Sequence, residues 1–112
     1  MNVNISDKIV VVTGGSRGIG KEVVKTFTEL GAYVYFTYLS NEEAAKELEA
    51  SSLSKGLKVK AEKVNNCSLE QVNLFVKKVI NEQKRIDILV NNAGVVRDGL
   101  LIRMKDEDWD RV

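Results

Sequence analysis

The sequence predicts an α/β protein: a doubly wound parallel sheet with strand order 3-2-1-4. Two observations predict it. Short β-branched runs alternate with helical apolar patterns along the chain, and a glycine-rich turn, Gly14 to Gly20, leaves the first strand and enters the first helix.

Ile9 to Val12 is an uninterrupted β-branched run, as expected for a strand buried on both faces. After the turn, Ile19, Val23, Val24, Phe27 and Leu30 recur at helical spacing, and Gly31 supplies a stop. Tyr33 to Tyr38 is aromatic and β-branched, a second strand. Ser40-x-x-Glu43 reads as a capping box opening a second helix, with Ala44, Ala45 and Leu48 on its inner side. Leu57, Val59 and Ala61 alternate with charged residues up to Val64, a third strand nearer a sheet edge. Ser68-x-x-Gln71 is a second capping box, followed by the amphipathic stripe Val72, Phe75, Val76, Val79 and Ile80. Ile86 to Val90 is the fourth strand, and the acids after Lys105 suit a helix N-terminus. Right-handed crossovers then place helices on both sheet faces. A fourth strand ending the sheet would leave an apolar edge bare, so residues 1–112 read as one nucleotide-binding domain, the front portion of a longer protein.

Composition removes several classes of chemistry. Of 112 residues, 44% are apolar and 29% charged, with a net charge of +1 from interspersed acids and bases. That argues against a nucleic-acid surface, which needs a clustered basic face. No apolar run spans a bilayer and the N-terminus lacks signal-peptide character, so the expected location is cytoplasmic. With no histidine and one cysteine, Ser-His-Asp and Cys-His sites are excluded, as are zinc sites built on those residues. Cys67 is expected as a small, partly buried thiol. The carboxylates fall mostly on helix surfaces and suggest no paired acid/base site.

The turn has two readings. Gly15 to Lys21 matches G-x-x-x-x-G-K, a triphosphate loop, and Gly14 to Gly20 spaces glycines as in a dinucleotide-binding turn. A triphosphate loop needs Ser or Thr after its lysine to hold magnesium, and here Glu22 stands there. The fourth strand also ends in Asn91 rather than a metal-binding aspartate. The dinucleotide reading remains. At the end of the second strand, Thr37, Tyr38, Leu39 and Ser40 include no acid to accept from a ribose 2′-hydroxyl. Arg17 has the planar fork that meets a 2′-phosphate, so NADP(H) is expected over NAD(H).

Thr13 to Gly20 together with Asn91-Asn92-Ala93-Gly94 resembles the two N-terminal signatures of the short-chain dehydrogenase/reductase family. The stretch from Asn92 to Trp109 is similar to the 3-oxoacyl-[acyl-carrier-protein] reductases of fatty acid synthesis within that family. The resemblance implies a Rossmann-type fold, NADP as cofactor, an acyl-carrier-protein-linked substrate, and a homo-tetramer. It implies pyrophosphate and 2′-phosphate contacts from Gly14, Gly15, Ser16 and Arg17, and close backbone approach at Gly18, Ile19 and Gly20. Thr37 would line the adenosine ribose phosphate, and Asn92, Ala93 and Gly94 would pass beneath the nicotinamide ribose. Asn65 and Asn66 stand where the family commonly has Asp-Val against adenine. Asn91 and Asp87 read as structural ties between strand ends. The family's catalytic Tyr-x-x-x-Lys is absent: Tyr33, Tyr35 and Tyr38 are followed four residues on by Thr37, Leu39 and Glu42. No catalytic residue is therefore assigned. A reductase of another small carbonyl, or a non-catalytic NADP-binding module, stays open.

Overall fold

The computed structural model describes residues 5–15 and 18–92, and residues 99–105 as backbone. The chain runs β1 (Ile9–Thr13), α1 (Gly18–Glu29), β2 (Tyr33–Tyr38), α2 (Glu42–Ser54), β3 (Lys58–Lys63), α3 (Leu69–Gln83), β4 (Arg85–Asn91) and β5 (Gly99–Lys105). The sheet order is β3-β2-β1-β4-β5. The first four strands are parallel, with Val10 opposite both Val34 and Ile88.

Successive side chains of a strand point to opposite faces, and here both faces are covered. Val10, Val12, Val34, Phe36, Val59 and Ala61 pack under α1 and α2, with Val24, Ala45 and Leu48 above them. Ile9, Val11, Tyr35 and Ile86 pack on the other face under Phe75, Val76, Val79 and Ile80 of α3. This double burial is why β1 reads as an unbroken apolar run.

Four local expectations are corrected. The sheet is not wholly parallel: β5 pairs antiparallel with β4 along the edge expected to be bare. Only residues 92–98 join the two strands, too short for a parallel crossover, which takes a dozen residues or more. The buried stripe of α1 is narrower than its sequence pattern. Ile19 and Leu30 are 75% and 56% exposed, at the ends of the helix and outside the stretch packed on the sheet. The N-cap of α2 is Asn41, whose side chain accepts from Ala44 N–H, and not Ser40. Cys67 is exposed, in a turn held from beneath by its own N–H. The expected helix after Lys105 lies outside the described residues.

Two polar devices hold the periphery. Asp87 is buried, and its Oδ2 accepts from Ile9 N–H at 2.9 Å and from Arg85 Nε at 2.8 Å, tying β1 to β4 as expected. At the margin of β3, Glu49 of α2 accepts from Ala61 N–H at 2.8 Å. Among the described residues, no helix is long and apolar enough to cross a membrane.

Candidate nucleotide-binding site

Parallel strands joined by right-handed crossovers place their C-terminal ends on one side, and the connections from β1 and β3 depart in opposite directions there. The β1–α1 turn lies at that crevice. Its conformation depends on glycine at two places, since Gly14 has φ +72° and Gly18, the first residue of α1, has φ +64°.

The turn is clamped from both neighbouring strands. On the β2 side, Gly14 N–H donates to Thr37 Oγ1 and Gly15 N–H to the Thr37 carbonyl, both at 2.9 Å. On the β4 side, Asn92 Nδ2 donates to the Gly14 carbonyl at 3.1 Å. Asn92 N–H in turn reaches Thr13, and the Thr13 hydroxyl donates to Asn91 Oδ1 at 3.0 Å. The backbone at Gly14 and Gly15 is therefore held by the protein's own hydrogen bonds, the kind of preorganisation that lowers the cost of binding.

The glycines divide by what a side chain would meet. At Gly15 a Cβ would stand 2.7 Å from Phe36 Cβ and 2.8 Å from Val24 Cγ2, so this glycine lets α1 close onto the sheet. Gly20, buried in α1, does the same for the protein's own backbone: a Cβ there would strike the Gly14 carbonyl and come within 2.5 Å of Asn92 Nδ2. The approach at Gly20 is thus made by the turn itself rather than left open for a ligand. Gly18 differs, with nothing within 4 Å of its Cβ position. It opens on free space at the helix N-terminus, where unpaired N–H groups and the helix dipole favour an anion. The first turn of α1 carries no acid to oppose one. These residues fit a dinucleotide pyrophosphate.

Thr37 is fully buried, and its hydroxyl is turned onto Gly14 rather than into the crevice. It also donates to Asn66 Oδ1 at 3.5 Å, which brings the β3–α3 loop into the same network. Asn65 and Asn66 are half-buried just past β3, beside the end of β2. Ser16, Arg17, Ala93 and Gly94 lie outside the described residues. Thr13 was not singled out from the sequence, although it joins the turn to β4. Its only signal is a hydroxyl residue closing an aliphatic strand.

None of the described tyrosines is placed as a proton donor. Tyr35 and Tyr38 are buried, and burial first of all pushes the Tyr35 phenol well above the ordinary tyrosine range. Its hydroxyl is held by Glu82 and Gln83 on the α3 face. Among the described residues there is also no cluster of His, Cys, Asp or Glu able to hold a metal ion.

Comparison with known proteins agrees with this geometry. Residues 8–112 match the family model described as short chain dehydrogenase. The chain is 43% identical over its whole length to the 3-oxoacyl-[acyl-carrier-protein] reductase of Chlamydia pneumoniae, covering 45% of that protein. It is 38% identical over 98% of its length to the reductase of the same name from Thermotoga maritima, covering 44% of it. Among solved structures, a short-chain dehydrogenase/reductase from Serratia marcescens superposes with a TM-score of 0.76 at 33% identity, over 80% of this chain and 37% of that one. A blue fluorescent protein from a metagenomic library, solved in complex with NADPH, superposes with a TM-score of 0.77 at 35% identity, over 87% of this chain and 40% of that one. The chain thus spans less than half the length of the relatives it matches.

Proposed function

The chain belongs to the short-chain dehydrogenase family, and from that premise we propose that it is the cofactor-binding part of an NADPH-dependent reductase of 3-oxoacyl thioesters. The observation that carries the cofactor reading is the clamp on Gly14 and Gly15 beside Gly18, which has open space at its Cβ position and begins a helix whose first turn has no acid. Similarity to 3-oxoacyl reductases over the full chain supports a substrate linked to acyl-carrier protein.

In this reading the nicotinamide, when bound, supplies a hydride to the 3-oxo group. Ser16, Gly18 and Ile19 hold the pyrophosphate through backbone N–H groups, while Gly14 and Gly15, whose own N–H groups are taken by Thr37, shape the turn around it. Gly20 lets the turn close on itself. Arg17 pairs with the 2′-phosphate, and Thr37 holds the turn in shape beneath it. Asn65 and Asn66 face the purine. Asn92 fixes the turn from β4, while Ala93 and Gly94 run under the nicotinamide ribose. The proton donor of such a reductase has no counterpart within residues 1–112, which contain no Tyr-x-x-x-Lys. We place the protein in the cytoplasm as a homo-tetramer, as its resemblance implies.

The intact protein, carrying these residues together with a Tyr-x-x-x-Lys, is expected to consume NADPH when given a 3-oxoacyl thioester, followed by loss of NADPH absorbance, whereas residues 1–112 alone are expected to be inactive. Arg17→Ala should weaken NADPH by roughly tenfold or more while leaving NADH within about twofold, because only NADPH carries the phosphate. Equal losses for both would mean that the turn binds the shared pyrophosphate alone. The absence of a proton donor from these residues favours one second reading, a non-catalytic NADP-binding module. That reading predicts binding without turnover on any carbonyl. Turnover confined to a small ketone would move the substrate class instead.

A further inference from the structure

Thr37 is fully buried in β2, so both the oxygen and the proton of its hydroxyl need partners inside the protein. The oxygen accepts from Gly14 N–H at 2.9 Å, which leaves the proton still to be placed. Among the described residues the acceptor for that proton is Asn66 Oδ1, at 3.5 Å. Asn66 follows the C-terminal end of β3 and reaches back to the strand paired with it.

A chain of donors thus runs from Gly14 N–H through the Thr37 hydroxyl to the Asn66 amide. Its two bonds support each other. A hydroxyl that gives its proton to an oxygen becomes a better acceptor, and its lone pairs are held in one direction. Asn66 is half-buried, and the loop around it is tied down on both sides. Val64 N–H donates to the Tyr38 carbonyl at 2.9 Å, and Ser68 N–H to the Asn65 carbonyl at 2.9 Å. A side chain at position 66 with no acceptor would leave a buried proton unpaired. The readiest relief is rotation of the Thr37 side chain, which withdraws its oxygen from Gly14.

We propose that Asn66 is a positioning residue for the β1–α1 turn, acting through Thr37 rather than through the ligand. The Gly14 backbone is then set from the loop beyond β3, with the whole of β2 standing between. What Asn66 governs is the fit of the turn to a pyrophosphate, common to NADPH and NADH. In that respect the inference rests on the NADP(H) reading above.

The test is amide hydrogen exchange of the intact, ligand-free protein, resolved to single residues. Asn66→Leu keeps the size of the side chain and removes the acceptor. Gly14 exchange should quicken about fivefold, while Tyr33 N–H, bonded to the Lys8 carbonyl at the other end of β2, keeps its rate. Asn66→Asp retains an oxygen for Thr37 and should leave Gly14 within about twofold of wild type. By isothermal titration calorimetry, Asn66→Leu should weaken NADPH and NADH alike, by about fivefold. In a Thr37→Val background the same substitution should weaken neither further. An unchanged Gly14 rate in Asn66→Leu would overturn the proposal. So would a loss of affinity that persists in Thr37→Val, since it would put Asn66 on the nucleotide itself. If Thr37→Val does not fold, the Gly14 rate in Asn66→Leu decides alone. Binding of neither nucleotide, with Gly14 exchange quickened, would overturn the cofactor reading and leave the coupling to Asn66 standing.

Discussion

Replacing Gly20 with alanine is expected to destabilise the fold by about 3 kcal/mol, the upper range for inserting an atom where nothing can yield. The added Cβ would strike the Gly14 carbonyl and press on Asn92 Nδ2. Both atoms belong to the clamp that holds the β1–α1 turn between its neighbours. The clash therefore cannot be relieved by rotating a flexible side chain; α1 must lift from the turn or the turn must leave β4. Gly18→Ala is the control. It adds an atom into open space and costs only the strain of a left-handed φ of +64°, about 1 kcal/mol. Urea unfolding should show the Gly20 variant with a much lower midpoint. Similar midpoints for the two would mean that the Gly14–Asn92 contact is not formed.

Removing Asp87 should cost a comparable amount. Asp87→Ala strands the buried Ile9 N–H and leaves Arg85 without its carboxylate, a loss of about 3 kcal/mol. Asp87→Asn keeps an oxygen for both donors and loses only charge, so about 1 kcal/mol is expected. The same residue gives stability a pH dependence. Burial by itself raises the Asp87 pKa, but the Ile9 N–H, the Arg85 guanidinium and the charge of Lys8 together outweigh it and hold the carboxyl below its ordinary value. A depressed folded-state value means that the contribution is complete above the unfolded aspartate pKa, about 3.9. It is lost as pH falls below that point through the lower folded-state value. Glu82 titrates in the same direction, chiefly because the Tyr35 hydroxyl donates to it. The difference between wild type and Asp87→Asn isolates Asp87. That difference should be constant above about pH 5 and shrink below about pH 4. A difference that does not change with pH would mean that Asp87 is not ionised in the fold.

The four parallel strands and three helices were legible because each is specified by a local pattern. Burial on both faces writes β1 as Ile-Val-Val-Val, and burial of one face writes α3 as a stripe at helical spacing. Ser68 was legible as a cap because its hydroxyl bonds Gln71 N–H, three residues on. Its partner was not, because Gln71 Oε1 reaches past Ser68 to Asn65. At α2, Ser40 and Asn41 are equally good caps by residue type, and only the path of the chain chooses between them. β5 was missed because its pairing is made with β4 and has no periodic signature of its own. At the site, the glycine spacing was legible but the division of labour was not. Whether a missing Cβ admits a ligand or the protein's own backbone depends on Phe36, Val24 and Asn92, which are distant in sequence. Thr37 was read as a ligand residue because it ends β2, while its contacts show it holding Gly14.

The bond between Glu49 and Ala61 N–H bears on how the molecule behaves at high concentration. A marginal strand with unsatisfied amides is a template on which another chain can lay down a further strand, the first step towards fibrils. In β3 one such amide is already taken by a carboxylate of the same chain, and the strand carries lysines at positions 58, 60 and 63. An incoming strand would have to displace Glu49 and approach a border rich in lysine, two of whose side chains, Lys58 and Lys60, are already held by Asp7 and Glu82. Growth along this border is therefore resisted from within the fold, independently of anything bound at the crevice.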